Sequence, residues 1–405
     1  MRPNWTRKFM LLATVIAALF VAGCPDTSIK LGAAVPMTGV DQTYGQSVQR
    51  GIEIAYEEMQ EEGGYTSPIT LLPIADTESN PENAAARLRD LYDSGAVAVV
   101  GGITTDEVNS MINVIDQYDR ALISPSASSP ELTGASRNFY RIWPSDFTAA
   151  NKMATFAIDA ELKSIVVVVE RTYGKGIQKV FEESYTAEGD GQILEVIEIP
   201  ENMGGDLGGL AERIITLEPD GVYLAAYEAG VSAMIRALRA ANYEGRIMTT
   251  SAFATATAIA NVGQDAEGVL LTQTAFETDS EHAHVQKFVQ RYRAKYGDDP
   301  DLYAAHGYDA LKVLAAAVDG RPAMGSEAHD GLREISEFPG VTGSIQFNEK
   351  GDVKKFPRVY VIGEDLGLYD HTERVNKQRE ELKKRREEIR KRLEQIQQKA
   401  EEIGS

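Results

Sequence analysis

The chain has 405 residues, of which 43% are hydrophobic, with a formal net charge of −20 and a single cysteine. A chain of this length can form two domains, each with a core of its own. The acidic balance argues against nucleic-acid binding, because a negative surface repels phosphates. One cysteine cannot form an internal disulfide, so the fold must be stabilised by its hydrophobic core.

The amino terminus has the pattern of a secretory leader. Basic residues precede an apolar run that ends in small residues and the cysteine: Arg2, Arg7, Lys8, Phe9–Val21 and Val21-Ala22-Gly23-Cys24. Val-Ala-Gly-Cys resembles the bacterial lipobox, which predicts a signal peptide over 1–23, lipidation of Cys24 and a tether over 24–28. The protein is then anchored by lipid in the cell envelope, on the periplasmic or extracellular face. An uncleaved membrane helix with a chance cysteine is the alternative.

Strands and helices alternate through the first third of the chain, which is typical of a parallel sheet covered by helices. Short apolar runs predict the strands, and apolar residues spaced three or four apart predict the helices. We predict strands at Ile29–Val35, Ile69–Ile74, Ala96–Val100 and Ala121–Ser124, and helices at Gln46–Glu62, Pro81–Ser94 and around Val108–Ile115.

Hydroxyl side chains follow two neighbouring predicted strands. Thr104 and Thr105 come after the third strand, and Ser126, Ser128 and Ser129 come after the fourth. Connections after parallel strands meet at one sheet edge, where ligands of α/β proteins bind. Hydroxyls beside a helix N-terminus suit an anionic group such as a carboxylate. The same residues also serve as ordinary helix caps and loop residues, and that alternative stays open.

The alternation restarts near Phe147, which predicts a second α/β lobe of similar size. Helices are predicted at Phe147–Glu161, after Tyr173, and at Asp206–Leu217 and Ala229–Ala240; strands are predicted at Ile165–Val169, Ile193–Ile199, Val222–Ala225, Arg246–Thr249 and Val269–Thr272. Further on, we predict helices at Glu281–Tyr296 and Tyr303–Asp319, and strands at Val341–Phe347 and Phe356–Ile362.

The last stretch, residues 373–405, predicts a charged helix. Between Glu373 and Glu402 it has no glycine or proline, and it holds eleven basic and eight acidic residues. Apolar residues recur every seven positions from Val375 to Ile403, but a second apolar row, which a coiled coil requires, is mostly Arg, Gln or Lys. We favour a solvated helix over an oligomerisation coil.

Several motifs together resemble the branched-chain amino-acid-binding proteins, the type I periplasmic binding proteins of ABC importers. The motifs are GGITTDEV, ALISPSASSPEL, IKLGAAVPMTGVDQTYGQSVQRGIEIA, ERTYGKGIQKVFEESY, PDGVYLAAYEAGVSAMIRALRAA and GSIQFNEKGD. The resemblance, from about Ile29 to Leu368, implies an α/β fold of two Rossmann-like parallel-sheet lobes. Lobe 1 comprises 29–145 and 276–341, lobe 2 comprises 146–275 and 342–368, and the chain crosses near Ser145, Ala275 and Val341 to form a hinge.

The resemblance also implies a ligand site between the lobes. The carried-over positions are Thr104, Thr105, Ser126, Ala127 and Ser128 on the first lobe, with tyrosine walls at Tyr44, Tyr173 and Tyr227. Amino-acid binders of this family place an acidic residue for the ligand's ammonium where this chain has Ser251. Either another acid substitutes, with Glu228 the nearest in sequence, or the ligand carries no ammonium.

The resemblance implies a substrate-binding lipoprotein of an ABC importer that captures an amino acid, branched-chain or similar, or a related small polar solute. Its partners are a membrane permease and an ATPase. The alternative is a ligand-sensing receptor of the same fold, with the terminal helix docking on a partner. We expect no enzyme activity, catalytic residue, cofactor or metal site. Gly174 and Gly176 begin a dinucleotide fingerprint, but Lys179 stands in place of its third glycine.

Overall fold

The computed structural model describes residues 28–188, 190–200, 205–322 and 325–403. The predicted signal peptide, the lipidation site Cys24 and the tether up to residue 27 lie outside the described residues. Within the part of the chain that is described, no helix is long and apolar enough to cross a bilayer. The described residues form two α/β lobes, as the sequence predicts.

The first lobe is built on a parallel sheet with the strand order β2-β1-β4-β5-β6, and β3 also pairs with β1. Apolar residues buried on both faces of the sheet pack against helices on both sides. The elements are β1 (Ile29–Val35), α1 (Gln42–Glu62), β2 (Ile69–Leu71), β3 (Ala75–Asp76), α2 (Pro81–Asp93), β4 (Ala98–Gly101), α3 (Thr105–Tyr118), β5 (Ala121–Ser124) and β6 (Phe139–Arg141). The sequence did not predict β6.

The second lobe contains most of a seven-stranded sheet. Its elements are α4 (Asp146–Asp159), β7 (Ser164–Val169), α5 (Arg171–Glu188), β8 (Gln192–Glu198), α6 (Leu207–Thr216), β9 (Gly221–Ala225), α7 (Glu228–Ala240), β10 (Arg246–Thr249), α8 (Ala256–Val262) and β11 (Leu270–Gln273). The strands β8, β7, β9, β10 and β11 are parallel neighbours in that order. The short helix α8 was not predicted.

The carboxy-terminal third contributes to both lobes. Its elements are α9 (Ala283–Tyr296), α10 (Leu302–Val318), α11 (Gly325–Glu334), β12 (Phe338–Gly340), β13 (Gly343–Ile345), β14 (Arg358–Ile362), β15 (Leu368–Asp370) and α12 (His371–Ile403). Helix α10 packs along α1 of the first lobe. Strand β14 joins the second sheet antiparallel to β11, and β15 pairs with β14.

The prediction that Val341–Phe347 is a strand of the second lobe was wrong. Strand β13 pairs only with β12, in a separate two-stranded sheet. The reason is a buried carboxylate on α10: the backbone N–H groups of Val341 and Thr342 donate to Asp309 at 2.8 and 2.9 Å. These bonds hold the hairpin on the first lobe, and the chain reaches β14 only after Asp352. The exact lobe boundaries stay a prediction.

Arg141 ties the third passage between the lobes to the first sheet. Its side chain is fully buried and donates to the carboxylate of Asp352 at 2.6 Å and to the carbonyl of Ser129 at 2.8 Å. It also donates to the hydroxyl of Thr133 at 2.6 Å. A buried charge needs such partners, because it has lost its hydration. One guanidinium therefore fixes the loop after β5 against the hinge.

Replacing Arg141 by leucine is expected to lower the free energy of unfolding by about 3–5 kcal/mol, because Asp352 is left as a buried charge without its partner. Urea unfolding of Arg141→Leu measures this loss. The matched control is Arg137→Leu, which removes an exposed ion pair with Asp119 and is expected to cost less than about 1 kcal/mol. Equal losses in the two variants would contradict the role of Arg141.

Candidate functional site

Two hydroxyl-bearing loops lie side by side at the carboxyl ends of β4 and β5. The hydroxyl of Ser124 donates to the carbonyl of Gly102 at 2.6 Å, and that of Ser126 donates to the carbonyl of Ile103 at 2.7 Å. The backbone N–H groups of Ser126 and Ala127 point at Ser124 Oγ, at 3.3 and 2.9 Å. These bonds hold the loops together, and they occupy the backbone N–H groups of Ser126 and Ala127, two of the positions that the family resemblance carries over.

Thr105 is the first residue of α3, and the hydrogen-bonding capacity of its side-chain hydroxyl is not used within the described part of the chain. A capping box fixes the helix start, since Thr104 Oγ1 accepts from the N–H of Glu107 at 3.3 Å and the Glu107 carboxylate accepts from the N–H of Thr104 at 3.5 Å. The same carboxylate also accepts from the N–H of Ile103 at 2.8 Å. Burial raises the pKa of Glu107 to about 7. Thr105 Oγ1 is buried and has no hydrogen-bond partner among the residues that the structure describes. A buried hydroxyl without a partner at a helix N-terminus is suited to an anionic ligand group.

Ser128 connects the first lobe to the start of α4. Its hydroxyl donates to the buried carboxylate of Asp146, and its carbonyl accepts from the backbone N–H of Asp146 at 2.8 Å. Burial raises the pKa of Asp146 to about 6, although the hydrogen bond from Ser128 and the charge of Arg141 oppose this shift. In this structure the hydroxyl proton of Ser128 is therefore directed at Asp146, while its oxygen can still accept a hydrogen bond.

Five aromatic side chains surround the same space. Tyr173 and Tyr227 from the second lobe are stacked, with ring centroids 4.5 Å apart. The ring of Tyr303 lies 4.8 Å from Tyr44 on one side and 4.8 Å from Trp143 on the other. Burial raises the pKa of all four tyrosines, which keeps their hydroxyls protonated as neutral donors.

Direct contacts between the lobes close the cavity. The Tyr44 hydroxyl donates to the carbonyl of Ala252 at 2.8 Å and accepts from the N–H of Glu228 at 2.7 Å. The N–H of Thr105 donates to the Tyr227 hydroxyl at 3.3 Å. The Tyr303 hydroxyl donates to the carbonyl of Ser251 at 3.2 Å, and the Tyr173 hydroxyl donates to Thr250 Oγ1 within the second lobe.

An ion pair lies beside these contacts. The guanidinium of Arg171 is 3.6 Å from the carboxylate of Asp41 in the first lobe and 4.9 Å from the ring centre of Tyr227. Arg171 has φ of 53°, a left-handed conformation that is uncommon for a residue other than glycine. Such conformations persist where the surrounding structure enforces them, often beside ligand sites. Here that surrounding structure is the contact between the two lobes.

The cavity enclosed by these groups brings together nine of the ten predicted site residues. Its lining is Tyr44, Ile103, Thr104, Thr105, Ser126, Ala127, Ser128, Trp143, Tyr173, Tyr227, Ser251, Ala252 and Tyr303. Its volume is ≈ 20 Å³, enough for a water-sized group. A solute as large as an amino acid therefore enters only when the lobes move apart.

Glu228 is the predicted site residue that does not line the cavity. Its carboxylate accepts from Thr255 Oγ1 at 3.3 Å, and only its backbone N–H reaches Tyr44. Burial, with the nearby charges of Asp301 and Asp41, raises the pKa of Glu228 to about 7. As a result, every residue that lines the cavity in the described structure is uncharged.

Four residues that line the cavity were not predicted from the sequence: Ile103, Trp143, Ala252 and Tyr303. Ile103 and Ala252 are direct neighbours of predicted residues, so extending each loop by one residue would have found them. Trp143 follows β6, which was not predicted as a strand. Tyr303 comes from α10, and nothing local marks it as a site residue, because it reaches the cavity through the packing of α10 on α1.

Two α/β lobes that close over a cavity at their strand ends define a two-lobe solute-binding protein. A sequence profile described as "Periplasmic binding protein" matches residues 28–360. The chain therefore belongs to the periplasmic binding protein family.

Known proteins similar to this chain are solute-binding proteins. The leucine-, isoleucine-, valine-, threonine-, and alanine-binding protein of Pseudomonas aeruginosa is 24% identical over 354 residues, covering 85% of this chain and 94% of that protein. The crystal structure of the leucine-binding protein LivK of Thermotoga maritima matches with a TM-score of 0.77 and 24% identity, covering 84% and 97% of the two chains. A benzoate complex of a solute-binding protein from R. palustris matches with a TM-score of 0.75 and 23% identity, covering 85% and 95%.

The raised pKa of Asp146 predicts a pH dependence of stability. Because its folded-state pKa of about 6 exceeds the ordinary value of 3.8, the folded protein binds more protons than the unfolded chain between these values. The contribution of Asp146 to the free energy of unfolding therefore falls as pH rises from about 4 to about 6. Asp146→Asn is expected to lose this part of the pH dependence in urea unfolding curves.

The matched control for Asp146→Asn is Asp159→Asn, which alters an exposed aspartate at the other end of α4. It is expected to keep the wild-type curve of stability against pH. If Asp146→Asn also kept that curve, the burial argument for Asp146 would be wrong.

Proposed function

We propose that the protein is an extracytoplasmic substrate-binding lipoprotein of an ABC importer, which captures a small carboxylate-bearing solute between its two lobes. The observation that carries the proposal is the unpartnered, buried hydroxyl of Thr105 in a closed cavity between the lobes. The family membership of the chain supports it. Lipidation at Cys24, and a permease and an ATPase as partners, belong to the proposal as expectations from the sequence.

The proposed mechanism is capture without chemistry. A solute carboxylate docks on the first lobe at the start of α3, where Thr105 offers its hydroxyl and its backbone N–H. In the closed structure that N–H donates to the Tyr227 hydroxyl, so the ligand's carboxylate oxygen takes a position now held by a tyrosine oxygen. The second lobe then closes and brings Tyr173 and Tyr227 over the solute. Contacts to both lobes stabilise the closed form, which the importer recognises.

The first test removes the Thr105 hydroxyl while keeping the side chain's shape. Thr105→Val is expected to weaken binding of the best ligand about 10- to 100-fold, because a hydrogen bond to a charged group contributes about 1.5–3 kcal/mol. Titration calorimetry against L-leucine, L-alanine, isocaproate and benzoate measures the affinities.

The control for Thr105→Val is Thr155→Val, which alters an exposed threonine of the second lobe and is expected to leave affinity unchanged. Unchanged affinity in Thr105→Val would remove Thr105 from the site. The panel is then extended to amides and further small carboxylates. If the wild-type protein bound none of these compounds, the proposed function itself would fail.

The uncharged lining favours an organic acid without an ammonium group over an amino acid. A buried ammonium needs a counter-charge, and the carboxylate of Glu228, the nearest acid in sequence to the tyrosine wall, is directed at Thr255 rather than into the cavity. A branched-chain or similar amino acid remains the other candidate ligand, as the similarity to amino-acid-binding proteins suggests.

Leucine and isocaproate test this choice directly, because isocaproate is leucine without its ammonium group. The neutral lining predicts that isocaproate binds at least about tenfold more tightly than leucine, a difference of about 1.4 kcal/mol. Tighter binding of leucine would show that an acid outside the lining supplies the counter-charge. In that case Glu228→Gln is expected to abolish the preference for leucine.

A further inference from the structure

The terminal helix α12 begins on the second lobe, and its stretch from Glu380 to Arg390 is charged and exposed to solvent. Its first residues contact the lobe: His371 packs edge-on against Phe156 at 5.0 Å, and the Glu373 carboxylate lies 3.6 Å from Arg358. Every side chain from Glu380 to Arg390 is exposed. With 33 residues the helix is about 50 Å long. From Glu380 to Arg390 the helix therefore gains no stability from a core.

The charges of this helix are separated by face. Val375, Leu382 and Ile389, spaced seven apart, form one apolar line, and Leu382 and Ile389 are 56% and 52% exposed. At about 100° per residue, Arg386, Arg390 and Lys383 lie about 40–100° from this line on one side, and Arg385 lies about 60° from it on the other side. We call this set, with the apolar line, the basic face.

The glutamates lie on the remaining helix surface, together with Lys377 and Lys384. In the sequence, all eight glutamates between Glu373 and Glu402 fall at the two heptad positions that precede the apolar line, one and two residues before it. Among the described side chains these are Glu373, Glu380, Glu381, Glu387 and Glu388. The basic face itself contains no acidic residue, but Glu381 and Glu388 border it beside Arg385, and the Lys383 ammonium lies 2.7 Å from the Glu380 carboxylate. The chain as a whole carries a net charge of −20. Such segregation gives one side of the helix a positive potential that the acidic lobes do not share.

A second copy of the helix does not fit this face. A two-stranded coil needs a second apolar row beside the first. On one side of the line that row would be Arg385, Arg392 and Lys399. On the other side it would begin with Arg379 and Arg386 before Leu393 and Ala400, so pairing two copies would bring like charges together in much of the seam.

An anionic lipid surface fits the face in both shape and charge. A single apolar line can enter the headgroup boundary of a bilayer, while the flanking Lys and Arg side chains extend to the phosphates. Basic clusters on amphipathic helices are attracted to anionic headgroups. A membrane also lies within reach in the proposed function, which anchors the protein by lipid at its other end.

We propose that the basic face of α12 docks on the anionic phospholipid surface of the membrane and so gives the protein a second attachment at its carboxyl end. The proposal takes from the proposed function only the placement of the protein at a membrane. It is independent of which solute the cavity binds.

The test measures binding of the mature chain, carrying Cys24→Ser so that no lipid is attached, to sedimenting vesicles. Vesicles of phosphatidylcholine alone are compared with vesicles of phosphatidylcholine and phosphatidylglycerol, at low and at high salt. We expect binding to the phosphatidylglycerol vesicles only, and its loss at high salt. The triple variant Arg385→Glu, Arg386→Glu and Arg390→Glu is expected to reduce binding at least about tenfold.

The matched control is the triple variant Lys377→Glu, Lys384→Glu and Lys391→Glu, which reverses the same number of charges among the glutamates. It is expected to reduce binding by less than about threefold, because the basic face is intact. Circular dichroism and ligand calorimetry on both variants check that the helix and the lobes are folded.

Three outcomes would overturn the proposal. They are an equal loss of binding in the two triple variants, an absence of binding to phosphatidylglycerol vesicles by the folded wild-type chain, and a dimer held by α12 in light scattering. If α12 instead docked on a signalling protein, the chain would not bind to vesicles although circular dichroism showed a folded helix. None of these outcomes affects solute binding, which the calorimetric titrations decide separately.

Discussion

The site depends on the hydrogen bonds that hold the loops after β4 and β5 together. Ser124 and Ser126, at the end of β5, donate to the carbonyls of Gly102 and Ile103 in the loop after β4, so the edge of the first sheet presents one continuous polar surface. Thr105 and Ser128 lie in this surface, and both line the cavity. These bonds are donated by the side-chain hydroxyls of Ser124 and Ser126, so they do not use the backbone N–H groups at the start of α3. The positive end of that helix is directed towards the cavity.

Buried side chains at the hinge connect these loops of the first lobe to the segment that leads into the second lobe. Arg141 at the end of β6 joins the loop after β5 to Asp352 on the last passage between the lobes. A second buried set lies beside it on α10, where Lys355 from the same passage approaches His306 at 3.5 Å, and the ring of His306 lies 4.6 Å from Trp143 in the cavity wall. Burial lowers the pKa of Lys355 to about 8. The last passage between the lobes is thus linked by side-chain contacts to the cavity wall, which would give the proposed lobe closure a physical route to the cavity.

The sequence predicted the repetitive part of the fold and nine of the residues that line the cavity, because both follow from local patterns. Strand β5 and strand β10 begin and end at the predicted residues, since short apolar runs bounded by polar residues leave few choices of limits. The loops at the strand ends were found for the same reason. The hairpin of β12 and β13 was mispredicted because the carboxylate of Asp309, about thirty residues earlier, decides its position. Tyr303 and Trp143 were missed for a similar reason, since tertiary packing alone brings them to the cavity.

The central claim is that a solute bound at Thr105 holds two hinged lobes closed. Lys175 of the second lobe lines a groove with Pro81 of the first lobe, which is the neighbour of Glu82. Glu82 and Lys175 are both exposed, and Cys24 is the only cysteine in the sequence. Spin labels are attached to Glu82→Cys and Lys175→Cys in a chain that also carries Cys24→Ser. Pulsed electron paramagnetic resonance then measures the distance between the two labels, and so between the lobes. The account predicts a long, broad distance distribution without ligand and a short, narrow one with saturating ligand. The same distribution with and without a ligand that calorimetry shows to be bound would contradict it.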